Sequence, residues 1–117
     1  MPADFIYLAS KSPRRQQLLE QMGVSIRFLL PDDDEDAEAL EAVRPGEAPA
    51  RYVQRVTLAK LDAALARLQR RGLPVAPVLC ADTTVALGRV IYGKPEDAAV
   101  AVRMLTELSG RTHRVLT

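Results

Sequence analysis

Two hydroxyl side chains and two arginines are clustered in the run Ser10-Lys11-Ser12-Pro13-Arg14-Arg15. An apolar stretch with strand composition, residues 5–9, precedes this run, and a Gln- and Leu-rich stretch typical of a helix follows it. Ser12 is predicted to be the N-cap of that helix and Pro13 to lie in its first turn. The N–H groups of the helix end and the two guanidinium groups would then face one side, which suits a phosphate. An ordinary capped helix with two solvated arginines is the competing interpretation.

Three further charged side chains lie at or near the ends of predicted elements, where α/β folds display binding groups, and a fourth lies within a predicted helix. Glu35 belongs to an acidic run after a predicted strand, Asp82 directly follows an apolar run, and Lys94 follows a predicted hairpin. Lys60 lies on the apolar stripe of a predicted helix, which is an unusual place for an ammonium group. These positions make the four side chains candidates for a binding site.

The chemistry that suits this set is hydrolysis of a phosphoanhydride. The carboxylates of Glu35 and Asp82 offer the oxygen ligands that a hard divalent cation such as Mg²⁺ prefers. Cations would neutralise a polyphosphate and stabilise charge that builds in the transition state. The candidate cations are Arg14, Arg15, Lys60 and Lys94. Plainer interpretations stay open, with Asp82 capping the next turn, Glu35 solvated in its acidic run, and the Lys60 ammonium group reaching water.

Strand-like and helix-like segments that are interspersed along the chain predict an α/β fold, with a twisted mixed β-sheet flanked by helices. The predicted strands cover residues 5–9, 25–30, 78–81, 85–87, 90–92 and 112–117. The predicted helices cover residues 13–22, 50–71 and 97–108. Two of the strands, separated by Gly88-Arg89, predict a β-hairpin.

Composition narrows the classes of protein to which the chain can belong. With 117 residues, 48% of them hydrophobic, it suits one soluble domain with a single core. The 16 Lys and Arg nearly balance the 15 Asp and Glu, and aromatic residues make up 4%, which disfavours nucleic-acid binding. No apolar run approaches the ~20 residues of a membrane helix, and no secretory signal is recognisable. The single cysteine, Cys80, lies in an apolar run, which favours a buried thiol and a cytoplasmic protein.

As a set, the motifs resemble the Maf family of nucleotide pyrophosphatases, formerly described as septum-formation inhibitors. The resemblance covers nearly the whole chain in family order. It rests on the opening motif of residues 8–15, the acidic pair Asp34-Glu35, the helix motif from Arg51 to Lys60, Ala81-Asp82-Thr83, Gly93-Lys94-Pro95 and the stretch from Leu105 to Thr117.

The resemblance implies hydrolysis of nucleoside triphosphates between the α and β phosphates, giving a monophosphate and pyrophosphate. In this picture Asp82 is the proton acceptor for the attacking water, and Glu35 and Asp82 hold the divalent cation, Mg²⁺ or alternatively Mn²⁺. The implied phosphate-binding residues are Ser10, Arg14, Arg15, Lys60 and Lys94. Arg14 and Thr83 match the branch that acts on dTTP, UTP and related modified pyrimidine nucleotides.

The resemblance also carries expectations about the whole protein. It implies a Maf/ITPase-like fold, a homodimer and a house-cleaning enzyme that clears non-standard or excess nucleotides. Family members continue beyond the point that matches Thr117, so residues 1–117 are expected to be the N-terminal part of a single, C-terminally truncated domain. The alternative function is a non-catalytic nucleotide-binding regulator of cell division or septum formation.

Overall fold

The computed structural model describes residues 4–117 and has the expected α/β architecture, with six strands, three α-helices and one short 3-10 helix within that range. The strands are β1 (Ile6–Leu8), β2 (Ile26–Phe28), β3 (Val78–Leu79), β4 (Thr84–Leu87), β5 (Val90–Tyr92) and β6 (Arg114–Leu116). The helices are α1 (Pro13–Gln21), α2 (Pro49–Arg70), α3 (Ala98–Leu108) and the 3-10 helix Ala39–Glu41.

The chain divides into two compact units, each with its own three-stranded sheet. Within the described residues, the first unit contains residues 4–42 and 56–81, and the second contains residues 43–55 and 82–117. Parallel and antiparallel pairings were expected within one mixed sheet, but the first unit's sheet is parallel and the second unit's sheet is antiparallel. Strand composition predicts which segments are extended and does not specify which of them pair, so this division is learned only from the structure.

In the first unit, β1 lies between two parallel neighbours in the order β2-β1-β3. Tyr7 is paired with Arg27 on one side and with Val78 on the other. All three strands run in the same direction, so the chain leaves them at one common edge of the sheet. The loop of residues 9–12, which contains Ser10 and Ser12, follows β1 at this edge. The acidic loop, residues 31–41, follows β2 at the same edge. The topology therefore assembles two of the predicted motifs at one end of this unit.

The core of the first unit joins its sheet to α2. Tyr7, Leu29, Ala64 and Leu68 form the buried cluster, and Cys80 packs against it in a half-buried position. The Tyr7 hydroxyl donates a hydrogen bond of 2.7 Å to the Pro74 carbonyl oxygen, so its polar end is satisfied. Burial raises the pKa of the Cys80 thiol, although the positive charges of Arg67 and Lys60 act in the opposite direction. These observations agree with a structural thiol.

In the second unit, β4 lies between β5 and β6, and both pairings are antiparallel. The predicted hairpin is confirmed, because Leu87 pairs with Val90 across a turn in which Gly88 has a φ of 59°. A positive φ favours glycine at this position. Helix α3 begins after Asp97, whose side chain accepts a 2.9 Å hydrogen bond from the backbone N–H of Val100. The two strands of the hairpin and the helix cap thus follow from short-range signals.

An ion pair fastens the segment before α2 to the first turns of that helix, within the second unit. Arg55 donates from Nε and Nη2 to the two carboxylate oxygens of Glu47, at 2.6 Å and 2.8 Å. These hydrogen bonds hold the pKa of Glu47 at about 2, below its ordinary value of 4.5, against the opposing effect of burial.

Helix α2 itself is long, but no helix among residues 4–117 is both long and apolar enough to span a membrane.

Candidate active site

The predicted N-cap of α1 is present, and it belongs to a small network of polar side chains. The Ser12 hydroxyl oxygen accepts from the Arg15 backbone N–H at 3.4 Å, and Pro13 is the first residue of the helix. The Ser10 hydroxyl oxygen accepts from Arg15 Nη1 at 2.9 Å and from the Ser12 backbone N–H at 3.2 Å. The loop therefore orients the Arg15 guanidinium group at the start of α1, where the helix dipole is positive.

The two arginines of this loop have different surroundings. Arg15 is half-buried and is held by Ser10, whereas Arg14 is exposed. A guanidinium group has five N–H donors, and the bond to Ser10 uses one of them. Ser10 and Arg15 are thus brought together by the structure, and Arg14 lies beside them on the first turn. This arrangement can bind an anion such as a phosphate.

Glu35 lies in the acidic loop and is held by two arginines of α2. Its carboxylate accepts from Arg67 Nε at 2.9 Å and from Arg67 Nη2 at 2.8 Å, which is a bidentate contact. It also accepts from Arg70 at 3.1 Å and from the Asp32 backbone N–H at 2.8 Å. Hydrogen bonding to Arg67 is the main cause that lowers the Glu35 pKa from 4.5 to about 2, while burial opposes the change.

These contacts bear on the expectation that Glu35 helps to hold a divalent cation. Four hydrogen bonds reach the Glu35 carboxylate, and a carboxylate offers about four lone-pair sites. A cation at the same oxygens would face the positive charge of Arg67 at hydrogen-bond distance. Among residues 4–117, no group of three or more His, Cys, Asp or Glu side chains has the geometry to hold a metal ion. As seated here, Glu35 does not fit the role of metal ligand.

Lys60 has a carboxylate partner in the first unit. Its ammonium nitrogen lies 2.9 Å from Oε1 of Glu41, at the end of the 3-10 helix, and its side chain is 25% exposed. Lys60 is thus half-buried, which agrees with its place on the apolar stripe of α2. A phosphate group that approached this ammonium group would compete with the Glu41 carboxylate for it.

In the second unit, the remaining predicted residues lie at the open end of the antiparallel sheet. Asp82 and Thr83 directly precede β4, and Lys94 follows β5 by two residues. The pairing of Val85 with Tyr92 means that the start of β4 and the end of β5 lie at the same end of the hairpin. The sheet therefore places these three residues at one end, opposite the hairpin turn. Asp82 is half-buried there, and Thr83 and Lys94 are exposed.

The last residue of the chain joins this end of the sheet. β6 pairs with β4 so that Thr84 is opposite Leu116. The hydroxyl groups of Thr83 and Thr117 are 3.1 Å apart and share a hydrogen bond. Thr83, which is expected to influence nucleotide choice, is therefore oriented in part by Thr117, the residue that follows β6.

Comparison with known proteins identifies the family. The model of a family described as Maf-like protein matches residues 5–117. The chain belongs to this Maf-like family. The motif-based resemblance is confirmed by this match, which extends over almost the entire sequence.

Relatives of this Maf-like chain include three bacterial proteins named dTTP/UTP pyrophosphatase. The protein of Albidiferax ferrireducens is 74% identical over 115 residues, which cover 98% of this chain and 58% of the relative. The Polaromonas protein is 66% identical, covering 100% of this chain and 58% of its own, and the Cupriavidus pinatubonensis protein is 62% identical, covering 97% and 57%. The chain therefore spans a little under three fifths of the length of these relatives.

Sequence reasoning missed the partners that this Maf-like chain gives to its acidic loop. Arg67 is 3% exposed and was treated only as part of a helix-forming segment. Its position carried a signal, because it follows Val56 by three turns of helix and so lies on the same inward face. Glu41, the partner of Lys60, was counted only as one member of the acidic run. Its pairing depends on how the loop folds back on α2, which no local pattern describes.

Proposed function

We propose that this chain takes part in hydrolysis of the bond between the α and β phosphates of nucleoside triphosphates, releasing a monophosphate and pyrophosphate. The substrates we propose are dTTP, UTP and modified pyrimidine nucleotides. The protein would then be a hydrolase that removes non-standard or excess nucleotides. The observation that carries the proposal is the identity of 62–74% to relatives named dTTP/UTP pyrophosphatase, over at least 97% of this chain. Membership of the Maf-like family supports the same reaction class.

Asp82 is the proposed proton acceptor. It would take a proton from the water that attacks the phosphoanhydride, while pyrophosphate departs as the leaving group. Its half-buried place at the open end of the second sheet supports this role, because a carboxylate in a polar but sheltered position can face a bound water. Thr83 follows it directly and, together with Arg14, is the proposed determinant of the pyrimidine base.

The proposed phosphate-binding residues act by charge and by hydrogen bonding. They are Ser10, Arg14, Arg15, Lys60 and Lys94. Negative charge accumulates on the phosphate oxygens as the bond breaks, and fixed cations stabilise it. The contact between Ser10 and Arg15 supports this assignment, because it fixes a guanidinium group at a helix N-terminus before any ligand arrives.

Dependence on a divalent cation, Mg²⁺ or Mn²⁺, belongs to the same proposal, as do a homodimer and a cytoplasmic location. Glu35 receives no catalytic step, since both of its carboxylate oxygens are held by α2. The single-domain reading of residues 1–117 likewise stays a prediction. Cation dependence can be measured by titrating Mg²⁺ and Mn²⁺ into the reaction, and the homodimer by sedimentation equilibrium.

The reaction is tested by incubating the protein with dTTP and Mg²⁺ and separating the products by ion-exchange chromatography. We expect equal amounts of dTMP and pyrophosphate, and release of orthophosphate would refute the proposed bond. Asp82→Asn should abolish turnover while nucleotide binding survives, because the amide cannot accept the proton. Asp62→Asn is the matched control, since Asp62 is an exposed acid on α2. Full activity of Asp82→Asn would remove Asp82 from the mechanism.

The same protein and dTTP also distinguish a non-catalytic regulator of cell division from an enzyme. A regulator would be stabilised by its nucleotide, so its melting temperature would rise with dTTP concentration without any product. An enzyme is stabilised and also cleaves its best ligand. If the molar amount of product is many times the molar amount of protein, the protein is an enzyme and not a non-catalytic regulator.

A further inference from the structure

Arg67 is the most deeply buried charged side chain that the proposed chemistry does not use. It is 3% exposed, on a face of α2 that also carries apolar residues such as Ala64 and Leu68. A buried guanidinium group costs free energy unless its donors are met by acceptors and its charge by an opposite charge. The position therefore calls for a structural explanation, and the contacts of Arg67 supply one.

Arg67 makes contacts at both ends of one loop segment. Nη1 donates at 2.8 Å to the carbonyl oxygen of Leu29, the residue that directly follows β2. Nε and Nη2 donate to the two oxygens of Glu35, six residues further along. One side chain thus binds the backbone just before the acidic loop, at Leu29, and a carboxylate within that loop, at Glu35. The planar fork of arginine is required for this double contact.

The neighbouring arginines reinforce the same segment from the exposed side. Arg70 contacts Asp32 at 2.9 Å and Glu35 at 3.1 Å, and Arg71 contacts Asp32 and donates to the Leu30 carbonyl oxygen at 2.7 Å. Arg70 is 52% exposed and Arg71 is 30% exposed, so their pairs are screened by water more than that of Arg67. The contribution of Arg67 should therefore be the largest of the three.

We propose that Arg67 is a positioning residue: it holds Glu35 and the Leu29 carbonyl, and so fixes the acidic loop against α2. The loop ends at Glu41, the partner of Lys60, so its position sets how a predicted phosphate-binding group is presented. This functional consequence rests on the proposed function. The anchoring itself rests on the contacts alone and can be tested without turnover.

The test is backbone hydrogen exchange of the ligand-free protein followed by mass spectrometry of peptides. In Arg67→Met we expect exchange in residues 32–41 to become at least about tenfold faster, because a buried charge-assisted contact is lost. Glu35→Gln should have a similar effect in the same segment, since it removes the carboxylate partner. Arg103→Met is the matched control, because Arg103 is exposed on α3, and it should leave this segment unchanged.

Two further variants keep the test decisive if Arg67→Met folds poorly. Arg67→Lys keeps the charge but lacks the planar fork, so we expect protection of residues 32–41 between that of the wild-type chain and that of Glu35→Gln. In the double variant Arg67→Lys with Glu35→Gln, the increase in exchange should be smaller than the two single effects combined, because Arg67 and Glu35 share one contact. Wild-type exchange of residues 32–41 in Glu35→Gln, or strictly additive effects in the double variant, would overturn the proposal. Neither result bears on whether pyrophosphate is released.

Discussion

The Lys60–Glu41 contact leads to a prediction about nucleotide affinity. If Lys60 binds a phosphate of the substrate, the Glu41 carboxylate, which lies 2.9 Å from the ammonium nitrogen, competes with that phosphate and repels it. Glu41→Gln removes the competing charge and keeps the side-chain size, so the ligand should bind more tightly. The sign is informative, because loss of a residue that itself binds the ligand would weaken binding.

The size of the effect follows from the exposure of the pair. The Lys60 side chain is 25% exposed and the Glu41 side chain 42%, so the pair belongs to the partly solvated class worth ~0.2–1 kcal/mol. If that contribution no longer opposes binding, the dissociation constant should fall roughly 1.4- to 5-fold. The gain in affinity of Glu41→Gln should be smaller at high salt, because salt screens the Lys60–Glu41 pair in the wild-type chain.

The assay is isothermal titration calorimetry with a non-hydrolysable α,β-imido analogue of dUTP in the presence of Mg²⁺. Glu38→Gln is the matched control, because Glu38 is an exposed acid in the same loop and its removal changes the net charge equally. The prediction concerns the difference between the two variants, which cancels the general effect of one negative charge fewer. Equal affinities in the two variants, or weaker binding in Glu41→Gln, would refute the exchange of carboxylate for phosphate at Lys60.

Two predictions concern stability. Ser12→Ala should lower the free energy of unfolding by about 1 kcal/mol in urea denaturation, because the cap of α1 is lost, and an unchanged midpoint would contradict this role. The Glu47 pKa is lowered to about 2 by Arg55, so the pair stabilises the protein above pH 4.5 and this contribution disappears as the pH falls from 4.5 towards 2. Glu47→Gln should make the fall of the urea midpoint across that window less steep, and the same slope as in the wild-type chain would contradict it.

The local parts of the fold could be predicted from the sequence because their signals act over a few residues. A serine before a proline gave the start of α1, and Gly88 gave the hairpin turn. Helix α2 was expected at residues 50–71 and is found at Pro49–Arg70, since it is rich in helix-forming residues and is followed by Gly72 with a φ of 62°. In each case the residues that decide the conformation are neighbours in the chain.

The partners of the charged residues could not be predicted in the same way. Glu35 and Arg67 are 32 positions apart, and their contact depends on the direction in which the acidic loop leaves β2. From the sequence, Glu35 is a carboxylate that could bind a divalent cation. The sequence does not show that a guanidinium group of the same chain, that of Arg67, contacts it. The sequence gives the sign of each charge, whereas the tertiary fold determines which of several opposite charges become partners.

The acidic loop has a physical reason to exist in a chain that is proposed to bind a polyanion. A lysine and an arginine on the inward side of α2 would be costly if they had no counter-charge in the absence of ligand. Glu35 meets this need permanently for Arg67, because the contact is bidentate and sheltered. Glu41 meets it for Lys60 through a more exposed contact, for which a phosphate can compete. The same loop thus contains a fixed pair and an exchangeable pair, and the difference in burial separates an anchoring residue from a binding residue.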